Sequence, residues 1–266
     1  MAFAEVEDVR LFFTDDGVGS GPPILFVHGY ACDSQNWSWQ IPHFGTHHRV
    51  IALDLRGHGW STAPKSGYDA ITFAADIAGL LHHLRCPPVV AVGHSLGGLI
   101  VSALAVEHPE AVKALVAVDP GYLVADSTIE AMAPLLAGLA VGDPVPTVQT
   151  LLGASDVPET PPFLRSWHLR RAAGVPKHVL VQTLRQMASG SEASAARAVG
   201  ETYLARRRCP VLSVYAQPSR VPVETALFAD PRSRAISWDG TGHWLHQERP
   251  EAFNALIDRW LESLDE

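Results

Sequence analysis

Short apolar runs alternate with amphipathic stretches along the first part of the chain. The runs are rich in β-branched residues, which is typical of buried strands. Between them, apolar positions recur at helical spacing from residue 71 to 84 and from 99 to 107. The alternation predicts an α/β fold, a mostly parallel sheet with helices on both faces. The predicted strands are residues 9–13, 24–27, 50–54, 89–92 and 112–118.

This pattern changes after Pro120 and returns at about Arg207. Between these positions strand-like runs disappear, and helical stretches are predicted at residues 128–139 and 177–188. Strands are predicted again at 211–215 and 235–238, followed by an amphipathic helix at 250–264. We therefore expect a core formed by residues 1–120 and 208–266. Residues 121–207 are expected to form a helical cap, or lid, inserted after the strand at 112–118, which we count as the sixth strand of the complete sheet.

Several large side chains of the insertion suit either a pocket wall or simple packing, and none is assigned to binding on this basis. They are Phe163, Trp167, His168 and Met187.

Composition narrows the class of protein. Hydrophobic residues make up 47% of the chain and charged residues 18%, which predicts a globular protein with a substantial core. The net charge of −8 argues against a nucleic-acid partner, and we interpret the basic triplet at 206–208 as the solvated end of an element. With scattered cysteines, an acidic N-terminus and no membrane-length apolar run, we expect a reduced, cytoplasmic protein without a membrane span. The pattern does not predict an oligomeric state.

The segment Gly93-His94-Ser95-Leu96-Gly97 carries the strongest chemical signal. It lies between a predicted strand and a predicted helix, where a G-x-S-x-G motif forms a tight turn that exposes the serine hydroxyl. Ser95 is therefore the predicted nucleophile. The backbone N–H of Leu96 at the start of the helix is a candidate oxyanion-hole donor, and the N–H of Tyr30, after the strand ending in His28-Gly29, is its predicted partner.

A second signal is Gly242-His243-Trp244, which follows the last predicted strand. An imidazole on such a loop can approach a nucleophile on another strand and exchange protons near neutral pH. We predict that His243 is the general base. His246 is the nearby competitor, but it falls in the approach to the final helix.

Together these motifs resemble the α/β-hydrolase superfamily, in particular its lid-bearing branch of esterases, lactonases, carbon–carbon bond hydrolases, cofactor-free haloperoxidases, dehalogenases and epoxide hydrolases. The resemblance covers nearly the whole chain. Because Ser95 occupies the nucleophile position, it implies serine chemistry and not the aspartate chemistry of dehalogenases and epoxide hydrolases. The segments that carry it are His28-Gly29, Asp54-Leu55-Arg56-Gly57-His58-Gly59-Trp60-Ser61, Gly93-His94-Ser95-Leu96-Gly97-Gly98, Gly242-His243-Trp244 and Glu248-Arg249-Pro250.

One position departs from the family pattern. The family usually carries its acid after the seventh strand, where Ser219 stands in this chain. The resemblance offers a second location, after the sixth strand, and Asp119 occupies it. Asp119 is the predicted acid of a Ser95–Asp119–His243 triad, with Asp230 and Glu224 as alternatives.

These residues predict a serine hydrolase that cleaves an ester or lactone of a small to medium, largely apolar substrate through an acyl-enzyme, with no metal or organic cofactor. A carbon–carbon bond hydrolase and a cofactor-free haloperoxidase are alternatives on the same triad. A ligand-binding receptor with little turnover is the alternative from another class.

Overall fold

An eight-stranded sheet runs through the centre of the computed structural model, which describes residues 1–139, 141–188, 191 and 193–264. The strand order is β1-β2-β4-β3-β5-β6-β7-β8, with β1, β2 and β4 paired antiparallel and all other neighbours parallel. The predicted mostly parallel sheet is confirmed. The strands are β1 Ala2–Val6, β2 Val9–Asp16, β3 Gly21–Val27, β4 His48–Leu53, β5 Val89–His94, β6 Val112–Val118, β7 Val211–Tyr215 and β8 Arg234–Ser237.

Helices cover both faces of this sheet, and alternate strand residues supply the two apolar layers. Leu25 and Val27 of β3 face the layer that includes helices α2 (Ala70–His83) and α3 (Leu96–Glu107), while Ile24 and Phe26 face the layer that includes α1 (Gln40–Phe44) and α12 (Pro250–Glu262). Burial of these apolar residues is the main force that fixes the strand register. The helices of the core are α1 Gln40–Phe44, α2 Ala70–His83, α3 Leu96–Glu107, α10 Val221–Thr225, α11 Leu245–Glu248 and α12 Pro250–Glu262.

Between β6 and β7, the described part of the chain forms six helices. The predicted helix at 128–139 is two short helices, because Pro134 lacks an N–H and its ring cannot follow an interior helical turn. Three further helices, α6 Pro144–Gly153, α7 Pro162–Gly174 and α9 Arg197–Leu204, lie where the sequence predicted helical structure without bounds. The inserted helices are α4 Asp126–Ala131, α5 Ala133–Gly138, α6 Pro144–Gly153, α7 Pro162–Gly174, α8 Lys177–Met187 and α9 Arg197–Leu204.

The domain limits at 120/121 and 207/208 stay predictions. The two ranges 121–207 and 208–266 also include residues outside the described part of the chain, namely Ala140, Ser189, Gly190, Glu192, Asp265 and Glu266. Within the described ranges, none of the helices provides the apolar stretch that a transmembrane span requires.

The sheet brings the loops after β3, β5 and β6 to one edge, because the carboxyl ends of parallel strands lie together. His94, the last residue of β5, is paired in register with Val118, the last residue of β6. Ser95 and Asp119 each follow one of these two residues. The register therefore sets the start of the two loops that carry them.

Candidate active site

Ser95 lies on a sharp turn between β5 and α3, with φ 54° and ψ −114°. Residues other than glycine disfavour a positive φ, so the backbone at Ser95 is strained and needs support from its neighbours. The support comes from β6 and the loop after it: the Ser95 N–H donates to the Val118 carbonyl at 2.9 Å, and the Ser95 carbonyl accepts from the Gly121 N–H at 2.8 Å. Gly97 is required for close approach, since a Cβ there would lie 2.2 Å from the Val27 carbonyl oxygen.

Asp119 and His243 lie in direct contact. The His243 Nδ1–H donates to Asp119 Oδ2 at 2.6 Å, which leaves Nε2 of the ring as the proton acceptor. The second carboxylate oxygen, Oδ1, accepts from the Ala216 N–H at 3.2 Å. Asp119 is 9% exposed, so water competes little for these bonds.

Charge stabilises the ionised form of this carboxylate. Burial alone would raise the pKa of Asp119, but the hydrogen bond and charge of His243 and the charge of Arg220 lower it below its ordinary value. The Arg220 guanidinium donates to the backbone carbonyls of Pro120, at 2.8 Å, and Tyr122, so it is anchored beside the Asp119 loop. An ionised Asp119 can fix the imidazole tautomer and stabilise a transient imidazolium.

The alternative acids make other contacts. Asp230 pairs with Arg232 at 2.8 Å. Glu224 is fully buried and accepts from Tyr122, Tyr215 and Arg207, the last at 2.9 Å. The interpretation of the 206–208 triplet as a solvated end is wrong for Arg207, which is 2% exposed, because its charge is neutralised inside the protein by Glu224.

The competing base, His246, is also engaged away from this contact. Its ring is fully buried, and its Nε2 lies 3.1 Å from the Asn36 side-chain amide. Burial holds the pKa of His246 well below its ordinary value, so the ring is neutral.

The loop after β3 approaches the serine closely. A Cβ built on Gly29 would lie 2.9 Å from His94 Nδ1 and 3.3 Å from both the His94 carbonyl oxygen and the Ser95 Cβ, so the loop packs against the elbow with no room for a side chain at position 29. The His28 ring braces this loop by donating from Nδ1 to the Gly29 carbonyl at 2.8 Å and accepting the Leu55 N–H at Nε2, 3.0 Å. Burial lowers the pKa of His28 to about 3, so it acts as a neutral brace.

Two supporting residues of the His243 loop were not identified from the sequence. The His94 Nε2–H donates to the His243 carbonyl at 2.9 Å, and Glu248 accepts the Gly242 N–H at 2.7 Å. Glu248 also accepts from the Thr160 hydroxyl at 2.7 Å, which ties the loop to the inserted helices. The resemblance drew attention to Glu248, but nothing in the local pattern indicates its partner in the insertion.

Ser95 and His243 line the same cavity, whose volume is about 220 Å³. Tyr30 and Trp244 contribute to its wall from the core, and the insertion supplies mainly apolar side chains. The Tyr30 hydroxyl is turned to the insertion and donates to the Leu180 carbonyl at 2.8 Å. The inserted residues on the wall are Met132, Leu151, Leu152, Ser155, Leu184 and Met187.

Of the side chains raised as pocket candidates, the structure brings only Met187 to this cavity among the residues it describes. Trp167 lies in a separate surface cleft with Asp33 and Arg171, and Phe163 is 55% exposed beside it. His168 stacks on Trp244 with ring centroids 3.6 Å apart. Within the described ranges, no group of three or more histidine, cysteine, aspartate or glutamate side chains could hold a metal ion.

Comparison with known proteins gives one family match and several relatives. Residues 22–157 match the family model described as the alpha/beta hydrolase fold. A 2-(acetamidomethylene)succinate hydrolase of Mesorhizobium japonicum is 29% identical over 254 residues, covering 92% of this chain and 90% of the relative. A non-heme chloroperoxidase of Streptomyces lividans is 41% identical over 93 residues, covering 35% of this chain and 34% of the relative. Among solved structures, the enol-lactonase from Burkholderia xenovorans superposes with a TM-score of 0.84 at 20% identity, covering 98% of this chain and 100% of that one.

Proposed function

The chain belongs to the alpha/beta hydrolase fold family. We propose that it is a serine hydrolase that cleaves an ester or lactone of a small to medium, largely apolar substrate. The observation that carries the proposal is the arrangement of Ser95, His243 and Asp119. Ser95 on its strained turn shares a cavity with His243, whose Nδ1–H is held by Asp119. Serine, imidazole and carboxylate in these relations are the parts of a nucleophilic triad.

The chemistry would proceed in two halves. In the first, His243 Nε2 takes the proton of the Ser95 hydroxyl as Oγ attacks the substrate carbonyl, and then returns it to the departing alkoxide. The N–H groups of Tyr30 and Leu96 would bind the oxyanion. In the second, His243 takes a proton from water, the hydroxide attacks the acyl-enzyme, and the proton goes back to Ser95 as the acid is released. A lactone differs only because its alcohol stays attached to the acyl group.

We propose that the inserted helices act as a lid over this site. Their contacts support the role, since Leu151, Leu184 and Met187 form part of the cavity wall. Substrate would enter between the insertion and the loops at the sheet edge. The protein would work in the cytoplasm on a free small molecule, without a metal or organic cofactor.

A carbon–carbon bond hydrolase and a cofactor-free haloperoxidase remain candidates on the same residues. The match to the chloroperoxidase, which covers 35% of this chain, favours the haloperoxidase. Steady-state assays with a chromogenic ester, a vinylogous diketone, and peroxide with halide would separate the three activities. Many turnovers of the ester per protein molecule would also exclude a receptor that only binds its ligand.

The proposal is tested by Ser95→Ala. We expect the variant to lose nearly all ester turnover, by about 10⁴-fold or more, while its circular dichroism spectrum stays that of the parent. A fluorophosphonate probe should label the parent at Ser95 and leave the variant unlabelled. Ser38→Ala, on the loop before α1, is the matched serine control and should keep parental turnover. Retention of most activity by a verified Ser95→Ala preparation would overturn the mechanism.

A further inference from the structure

The inserted helices form a mostly apolar wall of the cavity beside Ser95. The insertion contributes five large apolar side chains to it, Met132, Leu151, Leu152, Leu184 and Met187. The chain has only three methionines, and both internal ones are on this wall. Methionine has an unbranched, flexible and polarisable side chain, so it can adjust to ligands of different shape.

The same wall holds no lysine or arginine among the residues that the structure describes. Three arginines that lie outside this wall make other contacts. Arg207 pairs with buried Glu224 at 2.9 Å, Arg171 pairs with Asp33 at 3.1 Å, and Arg220 donates to two backbone carbonyls. A carboxylate placed in this cavity would lose its hydration without gaining a cationic partner, which strongly disfavours binding.

Met187 is a wall residue that lies beside the elbow. A Cβ built on Gly121 would come within 2.9 Å of the Met187 terminal methyl and within 3.4 Å of the Ser95 carbonyl group. The methyl therefore covers Gly121 where the Gly121 N–H binds the Ser95 carbonyl. Because Met187 and Ser95 both line the cavity and both lie beside Gly121, an acyl group on the Ser95 hydroxyl would begin close to this methyl.

We propose that the cavity is an acyl subsite for uncharged aliphatic acyl groups, and that Met187 is the side chain that determines the acyl length it accepts. This inference rests on the proposed serine hydrolase function. The acyl group, unlike the alcohol, stays bonded to Ser95 until water attacks, so it is the part of the substrate that benefits from a lasting apolar contact. The subsite excludes dicarboxylates, in contrast to the relative named as a succinate-derivative hydrolase.

The first test uses the unaltered protein and a matched pair of p-nitrophenyl esters. The pentanoate and the hemisuccinate have acyl chains of similar length, but only the hemisuccinate carries a charge at its end. We expect kcat/KM for the hemisuccinate to be lower by about 100-fold, the size expected for an unpaired carboxylate in an apolar site. Equal rates for the two esters would overturn the inference and leave the proposed function intact, whereas no turnover of any ester would contradict the proposed function itself.

The second test compares a series of p-nitrophenyl esters from acetate to decanoate across variants. Met187→Ala should raise the kcat/KM ratio of long to short acyl chains by about tenfold, because it removes the wall next to the ester. Gly121→Ala should lower that ratio, since the new Cβ displaces the Met187 methyl into the cavity. The double variant Gly121→Ala/Met187→Ala should recover part of the loss.

Phe163→Ala, in the same insertion but outside the cavity, is the control and should keep the parental chain-length profile. A series of acetate esters with alcohols of increasing length separates acyl from alcohol recognition. If Met187→Ala changed the alcohol profile and not the acyl profile, the cavity would be a leaving-group subsite and the inference would be wrong.

Discussion

At the scale of single residues, Asp119 is the predicted triad member for which the sequence left the most alternatives. Its place after β6 followed from a family resemblance and from the serine at position 219, not from any local pattern of its own. In the structure its carboxylate accepts two hydrogen bonds, from the His243 Nδ1–H at 2.6 Å and from the Ala216 N–H at 3.2 Å. One carboxylate oxygen is therefore available to orient the imidazole while the backbone after β7 holds the other.

Asp119→Asn tests this role. We expect kcat for a chromogenic ester to fall by about 10²–10⁴-fold, because the amide cannot stabilise an imidazolium and can favour the wrong ring tautomer. Labelling of Ser95 by a fluorophosphonate should slow in parallel. Asp230→Asn is the control, since that carboxylate pairs with Arg232, and its kcat should stay within about twofold of the parent. An Asp119→Asn variant with more than half of the parental kcat would remove Asp119 from the triad.

At the scale of elements, one buried ion pair joins the two ends of the insertion. Glu224, on α10, accepts from Tyr122, just after β6, and from Arg207, just before β7. Arg207 also donates to the Ser102 hydroxyl of α3 at 3.3 Å. This network holds the segments that enter and leave the inserted helices against α3, the helix that follows Ser95.

Glu224→Gln should therefore reduce the stability of the protein more than its catalytic activity. We expect the free energy of unfolding to fall by about 3–5 kcal/mol, because Arg207 would keep a buried charge without a counter-charge. Urea denaturation measures the loss. The double variant Arg207→Met/Glu224→Gln should regain much of it, and Glu201→Gln, in the exposed pair with Arg197, should change stability by no more than about 0.5 kcal/mol. A loss below about 1 kcal/mol in Glu224→Gln would show that the pair is not important for stability.

The elements predicted from the sequence are those whose pattern is set by burial. Strands β3, β5 and β6 consist mostly of apolar residues because both of their faces are covered, and their continuous runs are easy to recognise. Strand β1 was missed because it is an edge strand with Glu5 facing solvent. The bounds of helix α7 were not predicted because charged residues, among them Arg165, Arg170 and Arg171, interrupt its apolar spacing.

The candidate site shows the same division. Ser95 and His243 stand in motifs whose residue types follow from local backbone geometry, so they could be predicted. Glu248, His94 and Met187 act through partners far along the chain, such as Thr160 for Glu248 and the elbow for Met187. Nothing in the local pattern of residues encodes those distances.

At the scale of the whole molecule, several histidines are buried in the neutral form. Burial lowers the pKa of His28 and His58 to about 3 and that of His168 to about 4. Burial also holds the pKa of His94 and His246 well below the ordinary value. In the unfolded chain each would titrate near pH 6.5, so the unfolded state binds more protons than the folded state below that pH.

We therefore expect stability to be complete above about pH 6.5 and to be lost as the pH falls below it. Each buried histidine would contribute up to about 1.4 kcal/mol per pH unit, so the free energy of unfolding between pH 6 and 5 should fall with a slope of about four protons. Urea denaturation at several pH values gives this slope. His58→Asn should reduce it by about one proton. A slope of one proton or less in the parent would mean that these rings are not buried in the neutral form.

The turn at Ser95 has a thermodynamic consequence of its own. Its φ of 54° is tolerated by glycine and disfavoured by serine and alanine alike. Ser95→Gly and Ser95→Ala should thus both be inactive, yet melt differently. We expect the glycine variant to be more stable than the alanine variant, by about 1 kcal/mol in urea denaturation. Equal stability would mean that the turn is unstrained. If the glycine variant also exceeds the parent, activity and stability compete at this position, and random mutagenesis screened only for heat resistance would tend to recover catalytically dead proteins there.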